Sequence, residues 1–149
     1  MVTYAASCAN RYHVPVILNP APVQKLPSEL LSLVTYLTPN ETEFSFLSGR
    51  SAETGLAIDS LLTRLQRAVI ITQGEKGVIY KEKASNSQTS LPASSVEVVD
   101  TTGAGDCFNG VLAAKLAQGD TLEQAIQHAI TAAGISVTKH GAQTGMPRV

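Results

Sequence analysis

Three short polar turns hold the residues whose types and spacing point to chemistry: Thr38-Pro-Asn-Glu-Thr-Glu43, Thr72-Gln-Gly-Glu-Lys-Gly77 and Asp100-Thr-Thr-Gly-Ala-Gly-Asp106. In the last of them, Gly103, Ala104 and Gly105 are able to present several backbone N–H groups in one concavity. Glycine reaches positive φ and lets a ligand approach closely. A helix predicted to begin at about Gly105 adds its positive N-terminal end to the same spot, which favours a phosphate or a developing anion. Asp106 ends the turn, and two readings of it stand open. It is a general base over a substrate, or it is a first-turn acid that stabilises the helix by about 1 kcal/mol.

The other two turns carry the same ambiguity. Asn40 as N-cap with Glu43 at the third helical position makes a capping box. The same amide and carboxylate also suit a hydrated Mg²⁺, which keeps most of its waters and needs few protein oxygens. Thr72, Gly74, Glu75, Lys76 and Gly77 form either a backbone cradle for a nucleotide or an ordinary hairpin turn. Two familiar phosphate loops are excluded. The Walker A pattern GxxxxGK[ST] is absent, and the dinucleotide fingerprint GxGxxG fails because Phe108 occupies its third glycine position. The helix after Gly103–Gly105 also leads through Gly119 into another helix, where that fingerprint needs a strand.

The elements that must position these turns are set by periodicity. Ala5–Arg11 reads as the end of a helix. Val14–Leu18, Leu33–Leu37, Ala68–Thr72 and Gly77–Tyr80 read as strands, being short apolar runs bounded by turn signals. Val96–Val99 has strand character ahead of the glycine turn, so each polar turn is expected to come after a strand. A helix over Glu41–Leu47 is expected to stop at Gly49. Ile58, Leu61, Leu62 and Leu65 fall on one face of a helix expected over Glu53–Gln66. Lys81–Ser90 is polar and reads as an exposed hairpin or loop. Two helices close the chain, the second capped by Thr121 with Gln124. The alternation implies an α/β fold, a Rossmann-like layered (α/β/α) arrangement on a mostly parallel sheet, with ligands at the carboxyl ends of the strands.

Composition bounds the partners. The 149 residues fit one domain able to bury roughly 70% of its unfolded surface. With 44% hydrophobic and 15% charged residues the chain reads as packed and globular rather than disordered. A net charge of −1 gives no reason to expect nucleic acid or an anionic membrane. No apolar segment approaches the ~20 residues of a membrane span, and the N-terminus shows no secretory signal. Cys8 and Cys107 are far apart and form no ligand-spaced set, so two free thiols in a reducing cytoplasm are expected.

The motifs DTTGAGDCFNG, TPNETE and ITQGEKGV together resemble those of the ribokinase-like (PfkB-type) carbohydrate kinases. NPAP after the first strand and VTKHGAQTGMP at the end resemble its ribose-phosphorylating members. The resemblance runs along nearly all of the chain. It implies ATP-dependent phosphorylation of a sugar hydroxyl, ribose to ribose 5-phosphate, with Asp106 as the base. Gly103, Ala104 and Gly105 would form the anion hole. Thr72, Gly74, Glu75, Lys76 and Gly77 would line the nucleotide, and Asn40 and Glu43 would organise Mg²⁺ and phosphate, Glu43 through water. A monovalent cation, K⁺, would be held by Asp100, Thr102, Ser136, Lys139, Gly141 and Gly145, mostly through backbone carbonyls.

The resemblance covers the C-terminal half of the family's length. It therefore implies that the N-terminal half, with most sugar contacts and a small β-sheet lid, is absent, leaving a sheet edge exposed to self-association. At Ile130 the family more often has a polar residue near the adenine. His128, close by, reads as structural. The competing reading is a non-catalytic nucleotide-binding or partner-binding module of the same fold.

Overall fold

The computed structural model describes residues 1–49 and 55–147 and divides the chain into two units, Met1–Gln73 with Ile79–Ser90, and Gly74–Val78 with the chain from Leu91 onward. The first unit holds helices α1 (Val2–Arg11), α2 (Ser28–Leu33), α3 (Glu41–Ser48) and α4 (Gly55–Leu62). Its strands are β1 (Ile17–Leu18), β2 (Tyr36–Leu37) and β3 (Ala68–Thr72). It also contains nearly all of β4 (Val78–Glu82) and β5 (Thr89–Leu91). They form one sheet in the order β1-β2-β3-β4-β5, and the pairs β1–β2 and β2–β3 are parallel, with Tyr36 opposite both Ile17 and Ala68.

β3 explains why the sheet forms where it does. Ala68, Val69, Ile70 and Ile71 are all fully buried, so both faces of this central strand are covered, as an uninterrupted apolar run of this kind requires. Val69 and Ile71 join Leu31, Val34, Leu37, Phe44, Ile58 and Leu61 in the core of this unit. Each such side chain contributes roughly 1.5–3 kcal/mol by leaving water. The mostly parallel α/β class expected from the sequence is what the structure has.

Several boundaries move. Val14 is exposed and the expected strand Val14–Leu18 keeps only Ile17 and Leu18, because β1 is the outermost strand and Pro15 has no N–H to donate. Leu33–Leu37 keeps only Tyr36 and Leu37. Leu33 ends α2, a helix not expected from the sequence, which starts beside Pro27 with Glu29 in its first turn. Of the helix expected over Glu53–Gln66, residues 53 and 54 lie outside the described residues, and α4 ends at Leu62. Tighter i→i−3 bonds from Arg64 and Leu65 come next, and they keep Leu65 buried while the chain turns into β3. β4 begins at Val78 and runs on to Glu82, so Lys81–Ser90 spans the β4–β5 connection.

The second unit is built on α5 (Ala104–Ala117) and α6 (Leu122–Ser136), which pack on each other. α6 buries Leu122, Ala125, Ile126, Ala129 and Ile130, one face at the helical period, and α5 buries Cys107, Phe108 and Leu112. Gly119, at φ 94, makes the turn between them. Thr121 and Gln124 cap α6 reciprocally as the sequence implied. Val96–Val99 is a correction: it is no strand. The N–H groups of Val99 and Asp100 both reach the carbonyl of Val137, and Val96, Val98 and Val99 remain exposed. Among the described residues the third polar turn therefore comes after a segment that is not part of the sheet. No described helix is long and apolar enough to cross a membrane.

Candidate active site

In the first unit the turn 38–43 is set by the ends of β2 and β3. The Thr72 N–H donates to the Pro39 carbonyl at 3.0 Å, and Asn40 and Thr72 form a parallel bridge beyond the strands. This contact brings together two sequence-predicted residues from different turns. Asn40 Oδ1 accepts from the Glu43 N–H at 2.9 Å, and Glu43 Oε2 accepts from the Asn40 N–H at 2.8 Å. The capping box is therefore formed, and Glu43 is buried. Its Oε1 is the atom left for a water-mediated contact with Mg²⁺, an oxygen-only arrangement that fits that ion. Gln73 Nε2 also donates to Glu41 Oε1 at 2.9 Å, a second tie between the turns that no sequence signal announces because the two residues are distant in the chain.

In the second unit Gly74–Lys76 forms one 3₁₀ turn, with Gly74 at φ 58 and exposed Glu75 and Lys76. Gly77 closes it, its N–H donating to the Gly74 carbonyl at 3.1 Å. No other residue fits at 77: φ is +100, and a Cβ would lie 2.1 Å from the Leu91 carbonyl oxygen. The chain here passes backbone against backbone.

The glycine turn before α5 is shaped in the same way. Gly103, the N-cap, sits at φ 80, and a Cβ on it would lie 2.9 Å from Cβ of Ala142. Ala104 N–H folds back to the Thr101 carbonyl and Cys107 N–H to the Gly103 carbonyl. Among the described residues, the N–H groups of Gly103, Gly105 and Asp106 donate to no protein group, as expected of the first turn of a helix. These free donors and the helix dipole give a small anion cup. Asp106 is exposed in that first turn.

Asp100 anchors the turn to the end of the chain. Its Oδ1 accepts from the Thr102 N–H at 2.9 Å and its Oδ2 from the Gly141 N–H at 2.8 Å. The Thr102 hydroxyl, then the Gly141 and Thr102 N–H groups, lower its pKa to about 2, so the carboxylate is charged at neutral pH. Gly145 is pressed on the Ser136 carbonyl, where a Cβ would lie 2.3 Å from the oxygen, and its N–H donates to the Gly141 carbonyl at 3.0 Å. Asp100, Thr102 and Gly141 are thus tied together, as are Ser136, Gly141 and Gly145. Lys139 lies exposed in the turn after α6 and makes no hydrogen bond to the other five. A carboxylate charged at neutral pH together with backbone carbonyls is a hard-oxygen set that fits a monovalent cation. Among the described residues no group of His, Cys, Asp or Glu forms a transition-metal cluster.

Beside Asp106 on α5, Cys107 is buried and its thiol pKa is raised by desolvation, a hydrogen bond with Ser136 lowering it in part. Cys8 is also a free thiol. His128 sits 3.8 Å from Asp120 on the surface of α6, and Ile130 is buried in its core face.

The chain is similar to known proteins along its whole length. It is 43% identical to a ribokinase of Bacillus subtilis over 136 residues, 91% of this chain and 44% of that protein. The solved structure of a Thermotoga maritima ribokinase matches with a TM-score of 0.86 at 39% identity, over 96% of this chain and 49% of that one. An Arabidopsis thaliana ribokinase complexed with ribose and ATP matches with a TM-score of 0.90 at 31% identity, over 97% of this chain and 48% of that one. The chain therefore spans about half the length of the relatives it matches. The model of the pfkB family carbohydrate kinases matches residues 1–149, and the chain belongs to that family.

Proposed function

We propose that this chain carries the nucleotide-binding and catalytic part of a kinase that transfers the γ-phosphate of ATP to a sugar hydroxyl, with D-ribose as acceptor and ribose 5-phosphate as product. The observation that carries the reading is the α5 turn. There Gly103, held at positive φ against Ala142, opens a cup of undonated N–H groups beside the exposed carboxylate of Asp106. Phosphoryl transfer is mainly positioning and charge stabilisation, which is what such a cup supplies. The N–H groups of Gly103, Gly105 and Asp106 hold the anion, and Ala104, its own N–H turned back to the Thr101 carbonyl, shapes the turn between them. Asp106 accepts the proton of the attacking hydroxyl, a role typically worth ~10²–10⁴-fold.

Thr72, Gly74, Glu75, Lys76 and Gly77 hold the nucleotide. Asn40 and Glu43 hold Mg²⁺ and phosphate, Glu43 through water. When bound, Mg²⁺ offsets charge on the phosphates. Asp100, Thr102, Ser136, Gly141 and Gly145, with Lys139, hold K⁺, which when bound stiffens the loop under the anion cup. Ribose is favoured among sugars because the Bacillus subtilis and Arabidopsis thaliana relatives are ribokinases. The reading also assigns the chain to the C-terminal part of a longer fold and to the cytoplasm, with self-association through the outer edge of β1. The half-length match favours a second reading, a nucleotide-binding module that turns nothing over alone.

Transfer of labelled γ-phosphate from ATP to ribose, with Mg²⁺ and K⁺ present, separates the two. Labelled ribose phosphate supports the kinase. Saturable ATP binding without labelled sugar supports the module.

A further inference from the structure

The Asn19-Pro20 pair at the end of β1 has a role in the site that its place on the outermost strand conceals. In the parallel pairing of β1 with β2, the N–H of Tyr36 donates to the Val16 carbonyl and that of Thr38 to the Leu18 carbonyl, at 3.0 and 2.9 Å. Continued by one step, the ladder needs an N–H at position 20 to reach the Thr38 carbonyl. Position 20 is proline and has none. The Asn19 carboxamide makes that bond, its Nδ2 donating to the Thr38 carbonyl at 2.8 Å.

This bond bears on the Mg²⁺ turn through burial. Thr38 is 1% exposed and Pro39 is fully buried, so the Thr38 carbonyl has little access to water as a substitute. Pro39 is gripped from the opposite side by the Thr72 N–H, and Asn40 starts the capping box with Glu43. Thr38-Pro39-Asn40 is therefore held between a side-chain bond from the β1 end and a backbone bond from the β3 end.

We propose that Asn19 is a positioning residue for the Asn40–Glu43 turn, its carboxamide standing in for the backbone N–H that Pro20 lacks. The proposal rests on the reading of Asn40 and Glu43 as the Mg²⁺ and phosphate turn for its functional consequence, but not for its structural one. Without Asn19 the segment loses the bond at the Thr38 carbonyl and keeps those of the Thr38 N–H to Leu18 and of the Thr72 N–H to Pro39, so the Asn40–Glu43 turn is held less firmly and opens more often.

The test compares wild type with Asn19→Ala, Pro20→Ala and the double variant. Amide hydrogen exchange is read at Glu43 and Thr72, with the α6 amides of the other unit as a reference, and Mg·ATP affinity is read by calorimetry. The expectation is exchange about tenfold faster at Glu43 and Thr72 in Asn19→Ala, unchanged α6 exchange, and about tenfold weaker Mg·ATP binding. The double variant, which regains an N–H at position 20, recovers both. Unchanged exchange at Glu43 and Thr72, an equal rise throughout the chain, or no recovery in the double variant overturns the proposal. Local loosening with recovery, in a chain that binds no Mg·ATP even as wild type, supports the positioning role and overturns the nucleotide reading instead.

Discussion

Replacing Gly77 by alanine tests whether the turn over residues 72–77 is fixed by backbone contact. Gly77 has φ +100, and an added Cβ would lie 2.1 Å from the Leu91 carbonyl oxygen, 2.6 Å from the Ala93 nitrogen and 2.8 Å from the Pro92 carbonyl carbon. All three neighbours are backbone, so no side chain can swing away. The left-handed conformation alone costs an L-residue about 1–2 kcal/mol. Forcing a methyl against fixed backbone adds about 1–3 kcal/mol. The sum is about 2–5 kcal/mol, a large share of the ~5–15 kcal/mol that holds a domain together.

Gly74 is the internal control, at φ +58 with nothing within 4 Å of its Cβ position. Gly74→Ala should cost only the conformational term, about 1–2 kcal/mol. Urea unfolding monitored by far-ultraviolet circular dichroism suits a chain with no tryptophan. The midpoint should fall clearly further for Gly77→Ala than for Gly74→Ala at a similar slope. Equal midpoints would refute the reasoning, since contact with residues 91–93 would then not be what requires glycine at 77.

The second unit gives two further expected outcomes. The Asp100 pKa is depressed to about 2 from an ordinary 3.8, so its ionised form favours folding above about pH 4, and that contribution is lost as pH falls towards about 2. Urea midpoints should therefore drop more steeply over that window in wild type than in Asp100→Asn, and parallel curves would count against the Thr102 and Gly141 bonds. Cys107 is buried with a raised pKa whereas Cys8 is partly exposed, so a thiol reagent on the native protein should label one site fast and one slowly, with peptide mapping placing the fast one at Cys8.

What the sequence revealed was what neighbours along the chain decide. The capping boxes Asn40–Glu43 and Thr121–Gln124 close within one helical turn, so residue types at the right spacing suffice to predict them. β3 was legible because a strand covered on both faces is apolar along its buried length. β1 and β2 were overextended because a strand's length depends on its neighbours' ladder, and Leu33 and Val34 serve a helix end as readily as a strand. Val96–Val99 has strand composition but is not part of the sheet, since its last N–H group and that of Asp100 go to one carbonyl at the end of α6.

The site divides along the same line. The residue types of its three turns are plain in the sequence. What fixes the turns is not, because Ala142 against Gly103, Ser136 against Gly145 and Asn19 on Thr38 are contacts made through the fold.

The central claim is that Asp106 removes the sugar proton beside the anion cup of α5. Ribose-dependent ADP release, measured with Mg²⁺ and K⁺ for wild type beside Asp106→Asn, tests it most directly. The account predicts turnover in wild type and a loss of at least ~100-fold in kcat for the variant, with ATP affinity little changed. Equal rates in the two proteins, or no ribose-dependent ADP from either, would contradict it.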